Sequence, residues 1–450
     1  MSVFKAYDIR GVYKEQIDEK FAYSLGKSIG SQNKYNNILV GNDIRIGSKE
    51  LVKPFIVGLI DGGANVKYGG TISTPIIYFS TKDKYDLGVI LTASHNPSKY
   101  TGFKMCNIKA IPISPTEELI KIYKEYDLTE EIINKINNFN LENIQIDVIS
   151  EYMDFFLNRC CKNNNKIAID FANGSTSIGE KEVLKQLLPN SILINDFPDG
   201  TFPAHEPDTL KKECLEQIIQ CVKENNCELG VIFDGDGDRI GIIDEKGEVL
   251  QGDILTLLIA MEVLKEKENG ENGKNNNKIK IVYDLRCSKI VEEVIKQYGG
   301  EPIKTRVGHY FIKKLMHEVD AEFAGELSNH FYFKEAGYVE SPLLALNYIL
   351  NVMEHKGKSL SQLTEEYKKY YHSGEINFKV EDKLKILEKI ENKYKDSCKI
   401  EKIDGLSVYC NNWWFNIRLS NTEPLLRLNL EGDTKEIMEE KLKEVKELIK

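Results

Sequence analysis

No apolar run in these 450 residues is long enough to cross a bilayer, and the opening MSVFKAYDIRG reaches charged side chains without an apolar signal core. A cytoplasmic protein with no membrane partner is therefore expected. A basic excess is also missing: 60 lysines and arginines stand against 70 aspartates and glutamates, for a net charge of -10. A nucleic-acid partner normally leaves a positive footprint, so none is expected, and any anionic ligand has to be met by local arginines. The nine cysteines are odd in number, include no CxxC pair, and place Cys160 beside Cys161. This argues against a disulfide framework or a zinc site and favours buried thiols.

What is present reads as a globular chain of several domains. Hydrophobic residues make up 41% and charged residues 29%, and single cores stop growing near about 250 to 300 residues, so two to four domains are expected. Short β-branched runs recur, each leading through a polar loop to a helical pattern: NILVGND near 38, DLGVILTAS near 86, KIAIDFANG near 166, ELGVIFDGD near 228 and KIKIVYDLR near 278. That rhythm predicts parallel strands covered on both faces, in α/β units. Leu-Gly-Val-Ile occurs at both Leu87 to Ile90 and Leu229 to Ile232, which suggests an internal repeat.

After about residue 370 the strands GLSVYC, WWFNIRLS and LLRLNLEG lead to an amphipathic helix with Leu442, Val445 and Leu448 on one face. This predicts a smaller α+β domain. The polar segments from Lys265 to Lys278 and from Lys162 to Lys166 have nothing to bury and are expected to be surface loops.

In open α/β sheets ligands bind outside the carboxyl ends of the strands, where the polar loops emerge. Asp234, Asp236 and Asp238 alternate with glycines directly after the strand LGVIF. Three carboxylates on one tight turn repel unless a cation neutralises them, and hard oxygen donors favour Mg²⁺ or Ca²⁺. An EF-hand is the rival pattern, with Glu245 as its last ligand, but Arg239 stands where that loop needs glycine. A solvated acidic turn is the plainer alternative.

TASHNP, Thr92 to Pro97, follows LGVIL and offers Ser94 as an exposed hydroxyl at a strand end, although alone it could equally be a turn or a helix cap. RLSNTEPLLR gathers Arg418, Ser420, Asn421, Thr422 and Arg427 around Pro424. Such donors suit a phosphate in an acidic protein.

In this order the motifs resemble the α-D-phosphohexomutase superfamily, in its phosphomannomutase/phosphoglucomutase branch. The resemblance runs from AYDIRG at Ala6 to Gly11 through TASHNP, TGFK at Thr101 to Lys104, DGTFPAHEP at Asp199 to Pro207 and DGDGDR at Asp234 to Arg239. It continues through DLRCS at Asp284 to Ser288, VGHY at Val307 to Tyr310 and GELSNH at Gly325 to His330, to SNTEP. It implies three α/β domains with mixed, largely parallel sheets and a smaller C-terminal α+β domain around a central cleft. The expected bounds are 1–145, 146–246, 247–365 and 366–450.

The resemblance further implies a mutase that interconverts hexose 1-phosphate and hexose 6-phosphate, of mannose and/or glucose, through a phosphoserine and a bisphosphorylated intermediate. Ser94 would carry the phosphate and join Asp234, Asp236 and Asp238 as a ligand of Mg²⁺. Arg10, His95, Lys104, Arg239 and His309 would serve catalysis. Glu326 and Ser328 would read sugar hydroxyls, His330 and Arg286 would also bind substrate, although Arg286 could simply pair with Asp284, and Arg418, Ser420, Asn421, Thr422 and Arg427 would hold the distant phosphate. One departure stands out: Asn329 replaces a glycine common in the family, and its amide could reach a sugar hydroxyl.

The partners implied are hexose phosphates and hexose 1,6-bisphosphate, bound by a monomer or small homo-oligomer. The alternatives are a phosphoglucosamine mutase, which typically has glycine where Asn421 stands, and a phosphatase with Asp234 as nucleophile. A calcium-stabilised binding protein is the non-enzymatic option.

Overall fold

The computed structural model describes residues 3–5, 7–269, 278–419 and 425–449. Four sheets form along the chain. The first holds β1 (Ile9–Val12), β2 (Asn37–Asn42), β3 (Asn65–Thr71), β4 (Leu87–Leu91) and β5 (Tyr100–Asn107), in the order β1-β5-β4-β2-β3. The second holds β6 (Ile167–Asp170), β7 (Ile192–Ile194), β8 (Leu229–Phe233) and β9 (Ile240–Asp244), in the order β7-β6-β8-β9. The third holds β10 (Lys280–Asp284), β11 (Glu301–Thr305), β12 (Phe323–Gly325), β13 (Phe331–Phe333) and β14 (Val339–Glu340), in the order β11-β10-β12-β13-β14.

These three sheets repeat one plan. A first strand (β2, β6 or β10) lies between two parallel neighbours, and the third (β4, β8 or β12) pairs with the next strand antiparallel. The five apolar runs of the sequence are β2, β4, β6, β8 and β10, and each has parallel partners. Every residue of β4 and β8 is buried, as helices on both faces require. The repeat read from two segments is thus threefold, although the sheets turn antiparallel beyond their first three strands.

The fourth sheet is antiparallel: β15 (Tyr371–Lys379), β16 (Lys399–Glu401), β17 (Leu406–Tyr409), β18 (Trp413–Leu419) and β19 (Leu425–Gly432), in the order β15-β19-β18-β17-β16. The helix Lys435–Ile449 covers it, with Val445 buried and Leu442 and Leu448 packed against the same core. Two expectations need correction here. Cys398 and Cys410 form a disulfide, because they flank the β16–β17 hairpin one step beyond its Lys399–Tyr409 pair, with Cα atoms 4.8 Å apart, a proximity that their spacing does not show; Cys161 is exposed rather than buried. The charged stretch after Lys265 begins as helix, since Gly252–Asn269 carries on to Asn269.

The apolar core is divided unequally. One continuous cluster takes residues from all three α/β units, including Ile76 and Tyr78, Phe156 and Phe171, and Leu258, Phe323 and Leu344. Burying each such aliphatic or aromatic side chain contributes about 1.5–3 kcal/mol, which holds the three units against one another. A fully buried Lys313–Glu340 ion pair, with Lys313 over the Tyr78 ring at 3.6 Å, joins the third unit to the first. The C-terminal sheet instead has a separate core. It meets the third unit through polar contacts such as Asn429 Nδ2 to the Arg286 carbonyl, 2.8 Å.

Candidate active site

Equivalent strands deliver three loops to one place. Ser94 follows β4, the aspartates follow β8, and Glu326 to His330 follow β12. Ser94 is buried at 2% exposure, a correction to the exposed hydroxyl expected from sequence. The reason is a close approach: a Cβ on Gly235 would fall 2.6 Å from the Ser94 carbonyl oxygen, so glycine there lets the aspartate loop close over the serine. Ser94 also takes a left-handed φ of 51°, a conformation worth about 1–3 kcal/mol of strain that its surroundings must hold.

Arg45 holds it. This fully buried guanidinium donates to the carbonyls of Ser94 (2.6 Å), Asn96 (2.5 Å), Pro97 (2.8 Å) and Tyr100 (3.2 Å), and lies over the Phe202 ring of the second unit at 4.8 Å.

The Ser94 hydroxyl donates to Asp234 Oδ2 at 3.0 Å and lies 3.2 Å from His95 Nδ1. Asp234 Oδ1 accepts the amides of Gly237 (3.0 Å) and Arg239 (3.2 Å). Asp236 Oδ2 accepts from Thr74 Oγ1 (2.6 Å), Thr92 Oγ1 (3.2 Å) and Lys104 Nζ (2.7 Å), while Lys104 also reaches Asp238 Oδ2 at 2.6 Å. Crowding shows in the protonation balance. Burial, then Asp238 and Asp236, drive Asp234 well above the usual carboxylate range. Burial opposes charge on Asp238 as well, but Lys104 and His330 outweigh it and hold that carboxyl down. Burial likewise works against the Lys104 ammonium, which Asp236 and Asp238 nevertheless keep charged.

One oxygen of each aspartate lies within 4.8 Å of the others, so the three could hold a metal ion. Oδ1 of Asp236 is buried without a partner, and Oδ1 of Asp238 is buried without a hydrogen bond, with the His330 ring 3.4 Å away. Unpartnered hard oxygens fit a divalent cation such as Mg²⁺. The EF-hand pattern fails, because Glu245 accepts instead from the Ser359 and Ser361 hydroxyls, both at 2.6 Å.

From the aspartates a line of charged side chains runs into the third unit. Arg239 Nε is 4.0 Å from Asp234 Oδ2 and 3.3 Å from His330 Nε2. His330 also lies 3.4 Å from Asp238 Oδ1, 3.0 Å from Glu326 Oε2 and 3.1 Å from Ser328 Oγ. Burial opposes charge on His330, but Asp238 leads the groups that push it up to about 9. Glu326, despite burial, is drawn down to about 2 by His330 first and then Arg286. It accepts the Gly308 amide (3.1 Å) and the Tyr332 hydroxyl (2.8 Å).

Asn329, whose amide the sequence offered to a sugar hydroxyl, lies in the same loop as Glu326. It is buried, with φ at 66° and Oδ1 turned toward Gly252. It stands in for glycine because asparagine is among the few residues that tolerate this conformation.

His309 opens the helix His309–Val319, edge-on to the Tyr7 ring at 5.8 Å, with Nε2 buried and unpartnered. Burial, followed by Lys104 and Lys313, pushes it down to about 3. Burial, then Arg239, likewise holds His95 well below its ordinary value. Arg10, on β1, donates to Asn96 Oδ1 at 2.7 Å and pairs with Asp8. His205 is structural in its contacts, lying 3.0 Å from the buried Asp170.

At the far end, Arg286 binds both oxygens of Asp284 through Nε at 3.0 Å, and Asp284 also accepts the Leu327 amide at 3.1 Å. Arg418 and Arg427 face each other across β18 and β19 and both reach Glu375, at 2.8 and 3.3 Å. Ser420, Asn421 and Thr422 lie outside the described residues.

Sequence reasoning missed Arg45, Thr74 and Glu375. Arg45 had a signal, since Asp43-x-Arg45 after β2 matches Asp284-x-Arg286 after β10, and in both the aspartate caps the arginine's own amide. Glu375 had none.

Comparison with known proteins fixes the class. Four family models match in order: the alpha/beta/alpha domain I of phosphoglucomutase/phosphomannomutase over residues 1–132, domain II over 147–247, domain III over 251–370, and the C-terminal domain over 375–448. Such a molecule is an intramolecular phosphotransferase. The chain belongs to the phosphoglucomutase/phosphomannomutase family.

It is 64% identical over 449 residues to a phosphomannomutase of Methanocaldococcus jannaschii, covering 100% of this chain and 98% of that protein. To a phosphomannomutase/phosphoglucomutase of Pseudomonas syringae it is 32% identical over 454 residues, covering 97% and 93%. The crystal structure of a phosphoglucomutase/phosphomannomutase family protein from Burkholderia thailandensis superposes with a TM-score of 0.86 at 26% identity, over 99% of this chain and 96% of that one. Among the described residues no helix is long and apolar enough to cross a membrane.

Proposed function

We propose that the protein interconverts hexose 1-phosphates and hexose 6-phosphates, of mannose and/or glucose, with Ser94 as the residue that carries phosphate between turnovers. The observation behind this reading is the Ser94 hydroxyl held 3.0 Å from the buried Asp234 carboxyl group, beside two further buried aspartates, of which Asp236 keeps Oδ1 unpartnered. The functional units are taken as 1–145, 146–246, 247–365 and 366–450, each contributing one loop.

Phosphoryl transfer depends on positioning and charge neutralisation more than on covalent help from the protein. A sugar hydroxyl attacks the phosphorus on Ser94; the serine O–P bond breaks as the sugar O–P bond forms, giving a bisphosphate. After the intermediate turns round, Ser94 takes back the other phosphate. His95, Lys104 and His309 are at hand to move the hydroxyl proton, and Arg10 and Arg239 to meet negative charge. Glu326, Ser328 and His330 present acceptors and donors for ring hydroxyls. Arg286, Arg418 and Arg427, with the loop containing Ser420, Asn421 and Thr422, grip the phosphate that is not reacting.

Mg²⁺ would be held by Asp234, Asp236, Asp238 and the oxygen on Ser94, and when bound it supplies positive charge to the transferring phosphoryl group. Cytoplasmic hexose phosphates are the expected substrates.

Peptide mass mapping of the purified protein tests the reading, together with a coupled assay across mannose, glucose and glucosamine phosphates. Phosphate on Ser94 and loss of turnover in Ser94→Ala are expected. Phosphate on Asp234 with an active Ser94→Ala would turn the assignment to a phosphatase.

A further inference from the structure

In the register of the C-terminal sheet Arg418 stands directly opposite Arg427, and Glu375 stands opposite Asn429, two residues along the same strand from Arg427. Like charges facing each other across two strands destabilise a sheet unless something answers them. Among the described residues one carboxylate answers both. Glu375 Oε2 takes Arg418 NH2 at 2.8 Å and lies 3.8 Å from Arg286 NH1, while Oε1 takes Arg427 NH1 at 3.3 Å. Glu375 lies at an irregularity of β15, where the register shifts between His372 and Glu375. Burial works against its charge, but Arg418 and then Arg286 hold its carboxyl below the ordinary range, so it is ionised at neutral pH.

We propose that Glu375 is a positioning residue of the distant-phosphate site, dividing its carboxylate between Arg418 and Arg427 so that both guanidinia stay aimed at one phosphate. The inference rests on the reading that this cluster grips the non-reacting phosphate. Without the Glu375 carboxylate the facing guanidinia of Arg418 and Arg427 would lose the anion they share, and their mutual repulsion would splay one from the other. With Glu375 present the pair remains preorganised for a bidentate ligand. A neutral isostere keeps the volume of the side chain but loses that restraint.

The test compares wild type, Glu375→Gln, Glu375→Asp and Arg418→Ala by steady-state kinetics on glucose 1-phosphate and by calorimetric titration with the same sugar phosphate. Thermal melting is followed in parallel. Glu375→Gln is expected to raise KM and the dissociation constant at least about tenfold, the loss of one charge-assisted contact, with kcat within about threefold. Glu375→Asp, which keeps the charge, is expected to recover part of the loss, and the melting temperature to change little. A KM and dissociation constant within twofold of wild type in Glu375→Gln would overturn the proposal. So would a fall in kcat at unchanged KM, or loss of affinity that tracks a lowered melting temperature in both Glu375 variants. If Arg418→Ala binds the sugar phosphate as well as wild type, the reading of the cluster fails. Weakened binding in Arg418→Ala beside unaffected Glu375→Gln would sink the inference alone.

Discussion

The two ends of the site are mirror images in charge and opposites in mechanical setting. At one end three aspartates enclose a lysine: Lys104 touches Asp236 and Asp238 and is 4% exposed. At the other end three arginines surround one glutamate, whose side chain is 26% exposed. The aspartates and Lys104 belong to units that share one apolar core, so their loops cannot shift without disturbing that packing. Arg418, Arg427 and Glu375 ride on a sheet with its own core, docked by polar contacts. Interfaces of that kind ordinarily permit relative motion. The difference teaches a division of labour. On the proposed mechanism, phosphoryl transfer at the aspartates demands fixed geometry, whereas a grip on an intermediate that turns round demands an adjustable contact.

The largest effect should come from breaking the aspartate end. Asp236→Asn leaves Thr74, Thr92 and Lys104 without their shared anion, and we expect kcat to fall by about a thousandfold or more while circular dichroism stays native. Excess chelator should abolish turnover and Mg²⁺ restore it; full activity in chelator would remove the metal from the assignment. At the other end a smaller loss is expected. Arg418→Ala should raise KM by roughly tenfold to a hundredfold and leave kcat nearly intact, since a grip equal in ground and transition states affects binding alone. A fall in kcat at constant KM would invert the comparison and place the reacting phosphate at the arginines. Between the two ends, Asn329→Gly should change the ratio of kcat/KM for glucose and mannose 1-phosphates by less than about threefold, because Asn329 is buried with its Oδ1 directed at Gly252. A larger change in the ratio, read in the coupled assay, would return Asn329 to sugar recognition.

The aspartate end was far more legible in the sequence than the arginine end. Asp234, Asp236 and Asp238 are neighbours in the chain, and an apolar strand before them announces where they emerge. Ser94 was legible for the same reason, but its burial was not, because the Gly235 contact that covers it joins residues 141 positions apart. The five α/β strands carried their own apolar signature. Glu375 is one acidic residue among 70, within a strand of mixed character, and only the folded sheet reveals that it stands opposite Asn429 with its carboxylate reaching Arg418 and Arg427. The disulfide was hidden likewise, since a twelve-residue separation between Cys398 and Cys410 gives no hint that the two face each other across the β16–β17 hairpin. Asn329 was seen as a departure, yet its cause, a left-handed backbone, is a property of φ that composition cannot display.

The last prediction concerns the polar seam on which the C-terminal unit docks, and its expected effect is the smallest. His372 Nε2 lies 2.7 Å from Glu431 Oε2 on the neighbouring strand and 3.6 Å from Asp253 Oδ2 at the start of the helix Gly252–Asn269. Trp414 Nε1 donates to the other oxygen of Glu431 at 2.6 Å, and the Ser288 amide donates to Asp253 at 3.2 Å. Burial works against the imidazolium, but Glu431 outweighs it and His372 sits above its ordinary value. A histidine raised on folding contributes stability that is complete below its unfolded value, near about 6.5, and is lost as pH climbs through the folded one. Glu431, held low against burial by His372, acts in the opposite sense, losing its contribution only as pH falls through its folded value. Asp253, which burial pushes up, adds a cost once ionised, so the acid limb mixes opposing effects and the alkaline limb is the clean one. Between about pH 6.5 and pH 9 the wild type should therefore lose more thermal stability than His372→Gln, by roughly 1–2 °C, the consequence of a contribution below about 1 kcal/mol in a chain of this size. Differential scanning calorimetry across that range decides it. Parallel pH profiles for the two proteins would show that the seam holds without the histidine's charge, and the docking contrast drawn between the two ends would then rest on the remaining polar contacts.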